Sequence, residues 1–266
     1  PGGAGSQAAG APLCAVGYHN GAVEVLDGQG RLLQQLQAGT GPVRAVAWLA
    51  DGDLVVGGDD AAVRRIGGDG RVRWERRIEW QPMSWEYWTR LHCGVLTMAT
   101  GALSADGHEL IVAGCADRHL YAFSANGRRR WRTACEWGVP TSLQLAVLEP
   151  SAGAGAPAAA ALEVLVGLSE PAIHGWCRVY GADGAFRRAL QRPDIVSWSI
   201  PSWVRVLRVA DLNGDGRREV LTGLQTNHRQ LVAYRGDGQL LWEADVGGAV
   251  LALEVWPHAA GGGGPG

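Results

Sequence analysis

The feature that most constrains the fold is a repeat built on a glycine and an anchor residue four positions after it. In three copies the anchor is tryptophan, and in two weaker copies it is glutamine or arginine. The five pairs are Gly30 with Gln34, Gly70 with Trp74, Gly127 with Trp131, Gly184 with Arg188, and Gly238 with Trp242. The glycines of successive copies lie 40, 57, 57 and 54 residues apart. A repeat of this length is typical of propellers and solenoids, in which each copy is one supersecondary unit.

Each copy also contains an apolar run that ends in glycine, upstream of the anchor. The runs end at Gly17, Gly57, Gly114, Gly167 and Gly223. Short apolar runs between Ser, Asn, Asp and Gly turns are typical of strands, and 40 glycines in 266 residues are too many for helices. The last copy divides into four strands, at 203–210, 219–224, 230–234 and 239–244. The sequence therefore predicts an all-β fold, a β-propeller of about five four-stranded blades.

One turn of the last copy contains an unusual density of oxygen-bearing side chains. The candidate metal ligands are Asp211, Asn213, Asp215, the backbone carbonyl of Arg217, and Glu219. Calcium takes six to eight oxygen ligands and tolerates a flexible loop. The spacing departs from the EF-hand, because an apolar run that is typical of a strand follows at residues 220–223. The alternative is an ordinary turn with solvated charges. We predict a single calcium site, since the matching turn of the third copy keeps only Ser104 and Asp106 and the fourth has an Ala/Gly/Pro insertion at 152–158.

Three segments resemble known propeller repeats. Residues 232–242 and 120–131 are similar to PQQ-like (quinoprotein-type) repeats, and residues 210–223 resemble the FG-GAP/VCBS-type repeat, whose loop binds calcium in propellers of the integrin type. The resemblance covers about residues 14 to 256 and implies a propeller, but it does not imply an activity. No PQQ is expected, because the repeats are too few and no two cysteines are adjacent.

The ends of the chain leave two arrangements open. We predict one propeller domain at 13–256 between a disordered flank at 1–12 and a Gly-rich disordered tail at 257–266. The first copy starts at its second strand, residues 13–17, while the last apolar run, 249–256, is an inner strand without a blade. Either 249–256 joins the first copy and closes the ring, or the chain is an arc of a larger propeller.

Composition narrows the function classes. A net charge of −2 does not indicate a nucleic-acid-binding surface. The sequence contains no run of 18 uncharged apolar residues, so no membrane span is predicted. Five cysteines without a Cys-x-x-Cys pair predict buried thiols rather than a zinc site or a disulfide framework. We expect a monomer or part of a larger polypeptide, in an extracellular or periplasmic location, although no signal peptide is visible.

The connections on the face opposite the calcium loop are rich in tryptophan, histidine and charged side chains. Their non-repeating residues are the candidates for ligand binding: Trp85, Trp88, His92, Glu170, His174, His228 and Arg229. Tryptophan faces stack on sugar rings or on apolar groups of a peptide, and polar neighbours fix the orientation. The alternative is structural, with tryptophans wedged between blades and histidines bonded to loop backbones.

These features predict a non-catalytic, calcium-stabilised propeller that acts as a binding or scaffold module for a glycan or protein ligand. One alternative is the propeller lobe of a polysaccharide-active enzyme such as a lyase, with Glu79 and Glu136 as acid and base. The other is a WD-repeat-like intracellular interaction platform.

Overall fold

A computed structural model describes residues 13–79, 94–103, 108–135, 138–148, 161–170, 177–190, 202–226 and 229–256. These residues form nineteen strands and no helix. Neighbouring strands in every sheet are antiparallel. The prediction of an all-β fold is confirmed.

The strands form five consecutive units, each with its strands in chain order. Unit one has three strands, β1 (Leu13–Gly17), β2 (Ala22–Asp27) and β3 (Leu32–Gln37). Unit two has β4 (Val43–Trp48), β5 (Leu54–Gly58), β6 (Ala62–Ile66) and β7 (Val72–Arg77). Unit three has β8 (Val95–Ala102), β9 (Glu109–Cys115), β10 (His119–Ser124) and β11 (Arg129–Ala134). Unit four has β12 (Val139–Ala146), β13 (Glu163–Glu170), β14 (Cys177–Gly181) and β15 (Phe186–Leu190), and unit five has β16 (Ser202–Ala210), β17 (Glu219–Gln225), β18 (Leu231–Tyr234) and β19 (Leu240–Ala244). Units four and five join into one sheet through the pairing of β13 with β16.

The backbone conformation of the turn explains why each repeat contains a glycine. Gly70 has φ +77° and Gly127 has φ +80°, in the turns before the last strands of their units. L residues with a side chain rarely adopt this left-handed conformation, whereas glycine does so at no steric cost. A register shift follows each of these turns, between Arg65 and Ile66 in unit two and between Ala122 and Phe123 in unit three. The repeat glycine is therefore part of a bulged hairpin that joins the third and fourth strands.

The anchor residue of one unit lies on the glycine turn of the next unit. The Trp74 indole N–H donates to the Ala125 carbonyl at 2.8 Å, and a Cβ built on Gly127 would lie 2.7 Å from the Trp74 ring. Trp131 repeats both contacts one unit further on, with the Ala182 carbonyl at 2.7 Å and with Gly184. The Gly-x-x-x-Trp repeat is thus a contact between units.

The core lies between the units. Strand β5 shows how, since Leu54 and Val56 belong to an apolar cluster with unit one while Val55 belongs to a cluster with unit three. The described residues hold four such clusters, each made of residues from two neighbouring units. Because successive side chains of a strand point to opposite faces, a strand buried on both faces must be apolar throughout. This explains the continuous apolar runs in the sequence.

The glycine at the end of each apolar run makes room for the inner strand of the next unit. A Cβ built on Gly57 would lie 2.6 Å from Val95 Cγ1. The same relation holds for Gly17 with Val43, Gly114 with Pro140, and Gly167 with Val204, and Val250, which belongs to no strand, lies against Gly223 at a similar distance. Only a residue without a side chain allows the two backbones to approach this closely.

The described residues do not form a closed ring. Strand β1 pairs only with β2 among the described strands. Residues 249–256 form no strand, although the Val250 N–H donates to the Leu224 carbonyl at 3.1 Å and Val250 covers Gly223. Trp256 is 85% exposed. The two predicted disordered segments, 1–12 and 257–266, lie outside the described residues.

We expect Gly57→Ala to destabilise the protein, whereas Gly68→Ala should be nearly neutral. The new methyl group at position 57 would overlap Val95, and overpacking of this kind costs about 1–3 kcal/mol. A Cβ at position 68 would meet no atom within 4 Å. Urea unfolding of the two variants and the wild type measures the difference, and equal midpoints for both variants would contradict the proposed close approach of the strands.

Candidate functional site

The predicted metal loop connects β16 to β17 and spans residues 211–218. Its residues are exposed, while Glu219 at its end is 2% exposed. Gly214 and Gly216 have φ +78° and +82°, and no atom lies within 4 Å of a Cβ built on either. Two left-handed residues within three positions bend the chain back on itself, which brings the side chains at 211, 213 and 215 onto the loop's own backbone.

Backbone amides fix the orientation of these side chains. The two carboxylate oxygens of Asp211 accept hydrogen bonds from the N–H groups of Gly214 (2.7 Å) and Gly216 (2.9 Å). Asn213 Oδ1 accepts from the Asp215 N–H at 2.9 Å, and Asp215 Oδ1 accepts from the Arg217 N–H at 2.8 Å. These hydrogen bonds hold the three side chains against the backbone of their own loop.

The same bonds act on the acidity of Asp211. Desolvation by itself would raise the pKa of this carboxyl, but the N–H groups of Gly216 and Gly214 bond to the charged form and lower the pKa below its ordinary value of 3.8. Asp211 is thus an ionised oxygen donor throughout the neutral range.

Glu219 is buried without a cationic partner. Its Oε2 accepts a hydrogen bond from the Leu212 N–H at 2.8 Å, and no ion pair to it is seen in the part of the chain that the structure describes. A buried carboxylate that lacks a counter-charge is costly, typically by several kcal/mol. A cation in the loop would offset that cost.

The residues present fit a calcium ion by chemistry and order. Carboxylates, a side-chain amide and a backbone carbonyl are hard oxygen ligands of the kind that calcium prefers. Within the described ranges, however, no three acidic, histidine or cysteine side chains already converge on one point. The donors stand in sequence around the loop, and their convergence on an ion is not part of this structure.

Most residues predicted for the opposite face lie outside the described residues. These are Trp85, Trp88, His92, His174 and His228, together with Glu136 of the alternative acid–base pair. Glu170 is the last residue of β13, where its backbone is paired with Ser202 of β16. The structure therefore gives no geometry that brings these side chains together, and their role stays a prediction.

Arg229 has a local structural role. It has φ +51° in the turn between β17 and β18, and its guanidinium forms an ion pair with Glu243. Gly21, Ala61 and Arg118 also have positive φ at the corresponding turns of units one, two and three. The position repeats because the turn needs a left-handed residue, which the sequence pattern did not reveal since glycine, alanine and arginine all occupy it.

Three of the four described cysteines are buried, as predicted. Cys115, Cys135 and Cys177 are buried and form no disulfide with one another, whereas Cys14 is exposed. Burial raises the pKa of the Cys177 thiol to about 12, and burial, Asp117 and Cys135 raise the pKa of Cys115 well above its ordinary value. Both thiols remain protonated at neutral pH and are poor nucleophiles. Cys93 lies outside the described residues.

Comparison with known proteins adds no assignment. No known family model matches the chain, and no curated protein sequence matches it. The resemblance to propeller repeats therefore depends on the motifs at 120–131, 210–223 and 232–242 alone. Among the described residues there is no helix of the length and hydropathy that a membrane crossing requires.

Proposed function

We propose that this chain is a calcium-stabilised β-propeller that acts as a non-catalytic binding or scaffold module. The observation that carries the proposal is the contact repeated between units, in which a tryptophan of one unit lies on the glycine turn of the next. Units that pack in this way form a rigid array whose connections emerge on two faces. A rigid array that holds variable loops is the usual basis of a binding scaffold.

The five units are, in this proposal, the blades of the propeller, and residues 249–256 complete the ring by pairing with the free edge of β1. Val250 already covers Gly223 as Val95 covers Gly57, so 249–256 occupies the position of an inner strand beyond unit five. Unit one lacks an inner strand among the described residues. The missing strand and the unpaired edge are complementary.

The side chains at the two ends support the same closure. Gly30, in the turn of unit one, has no atom within 4 Å of a built Cβ, whereas Gly127 and Gly184 are covered by the anchor of the preceding unit. Trp242, the anchor of unit five, is 42% exposed. The Gly30 turn thus lacks an anchor residue from a preceding unit, and Trp242 lacks a glycine turn of a following unit. Closure of the ring would bring these two ends of the series together.

Calcium would be held by Asp211, Asn213, Asp215, the Arg217 carbonyl and Glu219. The ion supplies positive charge that ties the loop to the start of β17, where Glu219 pairs with Ala210 of β16. Its role is stabilisation of one connection, since binding to the folded state alone raises stability.

Isothermal titration with calcium, after chelator treatment, is expected to show one site that Asp215→Ala abolishes. At a calcium concentration one hundred times the Kd, the wild type should gain about 2.7 kcal/mol in free energy of unfolding. Asp237→Ala is the matched control, because Asp237 is also an exposed turn aspartate that accepts a backbone N–H, from Gln239 at 2.9 Å. Unchanged calcium binding by Asp215→Ala, or its equal loss in Asp237→Ala, would remove the assignment.

The pH dependence of the same titration follows from Asp211. A carboxyl with a lowered folded-state pKa contributes stability above its ordinary pKa and loses it as the pH falls through the lowered value. Because the Asp211 pKa lies below 3.8, proton competition at this residue should be negligible between pH 5 and 8 and should weaken calcium binding only below about pH 4. A steep loss of calcium affinity between pH 7 and 6 would show that a group other than Asp211 controls the pH dependence.

A glycan and peptide array, screened with and without calcium, tests the binding role. The proposal expects a glycan or protein ligand that is lost when Trp85 and His174 are both replaced by alanine, with little change in melting temperature. Turnover of a polysaccharide substrate would favour the lyase alternative. Stability and binding that are independent of calcium would favour an intracellular interaction platform over the extracellular or periplasmic module proposed here.

A further inference from the structure

A basic cleft lies between units two and three, and the side chains of the candidate metal loop do not line it. Its volume is about 490 Å³. The end of β7 forms one wall and the turn into β11 forms the other, so that two pairs of arginines distant in sequence meet there. The charged residues that line it are Arg76, Arg77, Glu79, Arg128 and Arg129.

Most of this positive charge is not neutralised. The Arg76 guanidinium donates from Nε to the Gly127 carbonyl at 2.8 Å and from Nη1 to the Glu75 carbonyl at 2.7 Å. Neutral carbonyls fix its orientation without cancelling its charge. Arg128 and Arg129 are exposed, and no ion pair to either is seen in the described ranges. Arg77 alone has a carboxylate partner, Glu75 at 3.3 Å, and its side chain is 72% exposed.

Packing between units does not require these arginines. At the next interface Thr133 takes the place of Arg76 and donates to the Gly184 carbonyl at 2.9 Å. Ala185 and Phe186 stand there in the places of Arg128 and Arg129. The contact between units is therefore made equally well without a basic cluster. The chain has a net charge of −2, yet four arginines gather at this one cleft. Such a local concentration of positive charge suggests that the cleft recognises an anion.

The other residues of the cleft narrow the class of anion. Tyr121 and Phe123 also line it, but each is 2% exposed and offers no ring face on which a nucleotide base could stack. The same burial leaves no apolar pocket for a peptide side chain. Glu79 is exposed on the rim, where its carboxylate can accept hydrogen bonds from hydroxyl groups. Arginines beside an acceptor carboxylate suit a ligand that has both acid groups and hydroxyls.

We propose that this cleft binds an acidic oligosaccharide, with sugar carboxylates on Arg76, Arg128 and Arg129 and sugar hydroxyls on Glu79. This inference rests on the proposed binding function and names the ligand class and a second location for it.

Isothermal titration with an oligomer of galacturonic acid, in low salt, tests the assignment. The double variant Arg128→Gln/Arg129→Gln should bind at least tenfold more weakly than the wild type, because two uncompensated guanidiniums are lost. Arg130→Gln is the matched control, since Arg130 is the next residue on β11, is equally exposed, and does not line the cleft. Both variants should keep the wild-type melting temperature, as the replaced side chains are exposed and no ion pair to them is seen in the described part of the chain.

Two comparison ligands test whether the cleft is specific for acidic sugars. A neutral galactose oligomer should not bind, and a glutamate peptide of equal charge should bind at least tenfold more weakly than the acidic sugar. Absence of galacturonate binding by the wild type, equal binding by the double variant, or tighter binding of the glutamate peptide each overturns the proposal. If ligands from the array still bind in a calcium-dependent way in any of these cases, the proposed function stands and only the cleft assignment fails.

Discussion

Replacement of Trp131 by alanine is expected to lower the free energy of unfolding by about 3 kcal/mol, at the lower end of the range for truncating a large aromatic side chain because the ring is only partly buried. The change removes two contacts at once. The ring no longer covers Gly184, and the Ala182 carbonyl loses its indole donor at 2.7 Å. Urea unfolding monitored by far-UV circular dichroism, a backbone signal, measures the loss.

Trp131→Phe separates the two contacts. Phenylalanine keeps most of the ring over Gly184 but cannot donate to the Ala182 carbonyl, so the loss should be about 1 kcal/mol, the net value of one hydrogen bond. Retention of full stability by Trp131→Ala would mean that units three and four are held together by their apolar cluster alone, and the tryptophan repeat would then need another explanation.

Truncation after Gly248 is expected to unfold or aggregate the protein. It removes Val250 from Gly223 and the hydrogen bond from the Val250 N–H to the Leu224 carbonyl, and under the proposed closure it also leaves the edge of β1 without a partner. Exposed strand edges template association with other chains. Size-exclusion chromatography with light scattering and a thermal melt measure the outcome, and deletion of 257–266 alone is the control that should leave both unchanged.

Trp242→Ala distinguishes the closed ring from the open arc. In a closed ring Trp242 would lie on the Gly30 turn, and its loss should cost about as much as that of Trp131, roughly 3 kcal/mol. In an open arc this side chain stays 42% exposed, and its truncation should cost well under about 1 kcal/mol. A soluble, folded truncation at Gly248 together with a silent Trp242→Ala would sink the closure proposal.

The strand pattern was accessible from the sequence because it depends on local chemistry. The predicted strands of the last copy at 203–210, 219–224, 230–234 and 239–244 agree with the structure to within one residue at every end. Turn residues and apolar runs act over a few positions, so each hairpin is specified by its own segment. The order of oxygen donors from Asp211 to Glu219 was accessible for the same reason.

The contact that the repeat residues make could not be predicted from the sequence. The sequence showed that Trp74 and Gly127 recur, but only the structure shows that they touch each other, 53 residues apart, rather than their own neighbours. The basic cleft is a second case. Arg128 and Arg129 are distant from Arg76 in the sequence, and their proximity depends on how two units are placed side by side.

The amino-acid sequence by itself therefore determined the all-β class, the five copies and the ligand types of the candidate metal loop, since strand propensity, turn chemistry and side-chain donors are properties of short segments. The tertiary structure decided which surfaces of successive units meet. Within the described ranges it also shows that Glu219 is buried without an ion pair, that β1 has a partner strand on one side alone, and that Trp242 is 42% exposed. These facts depend on the packing of sheets against one another, where each contact joins residues about 50 positions apart and is fixed only when both units are folded.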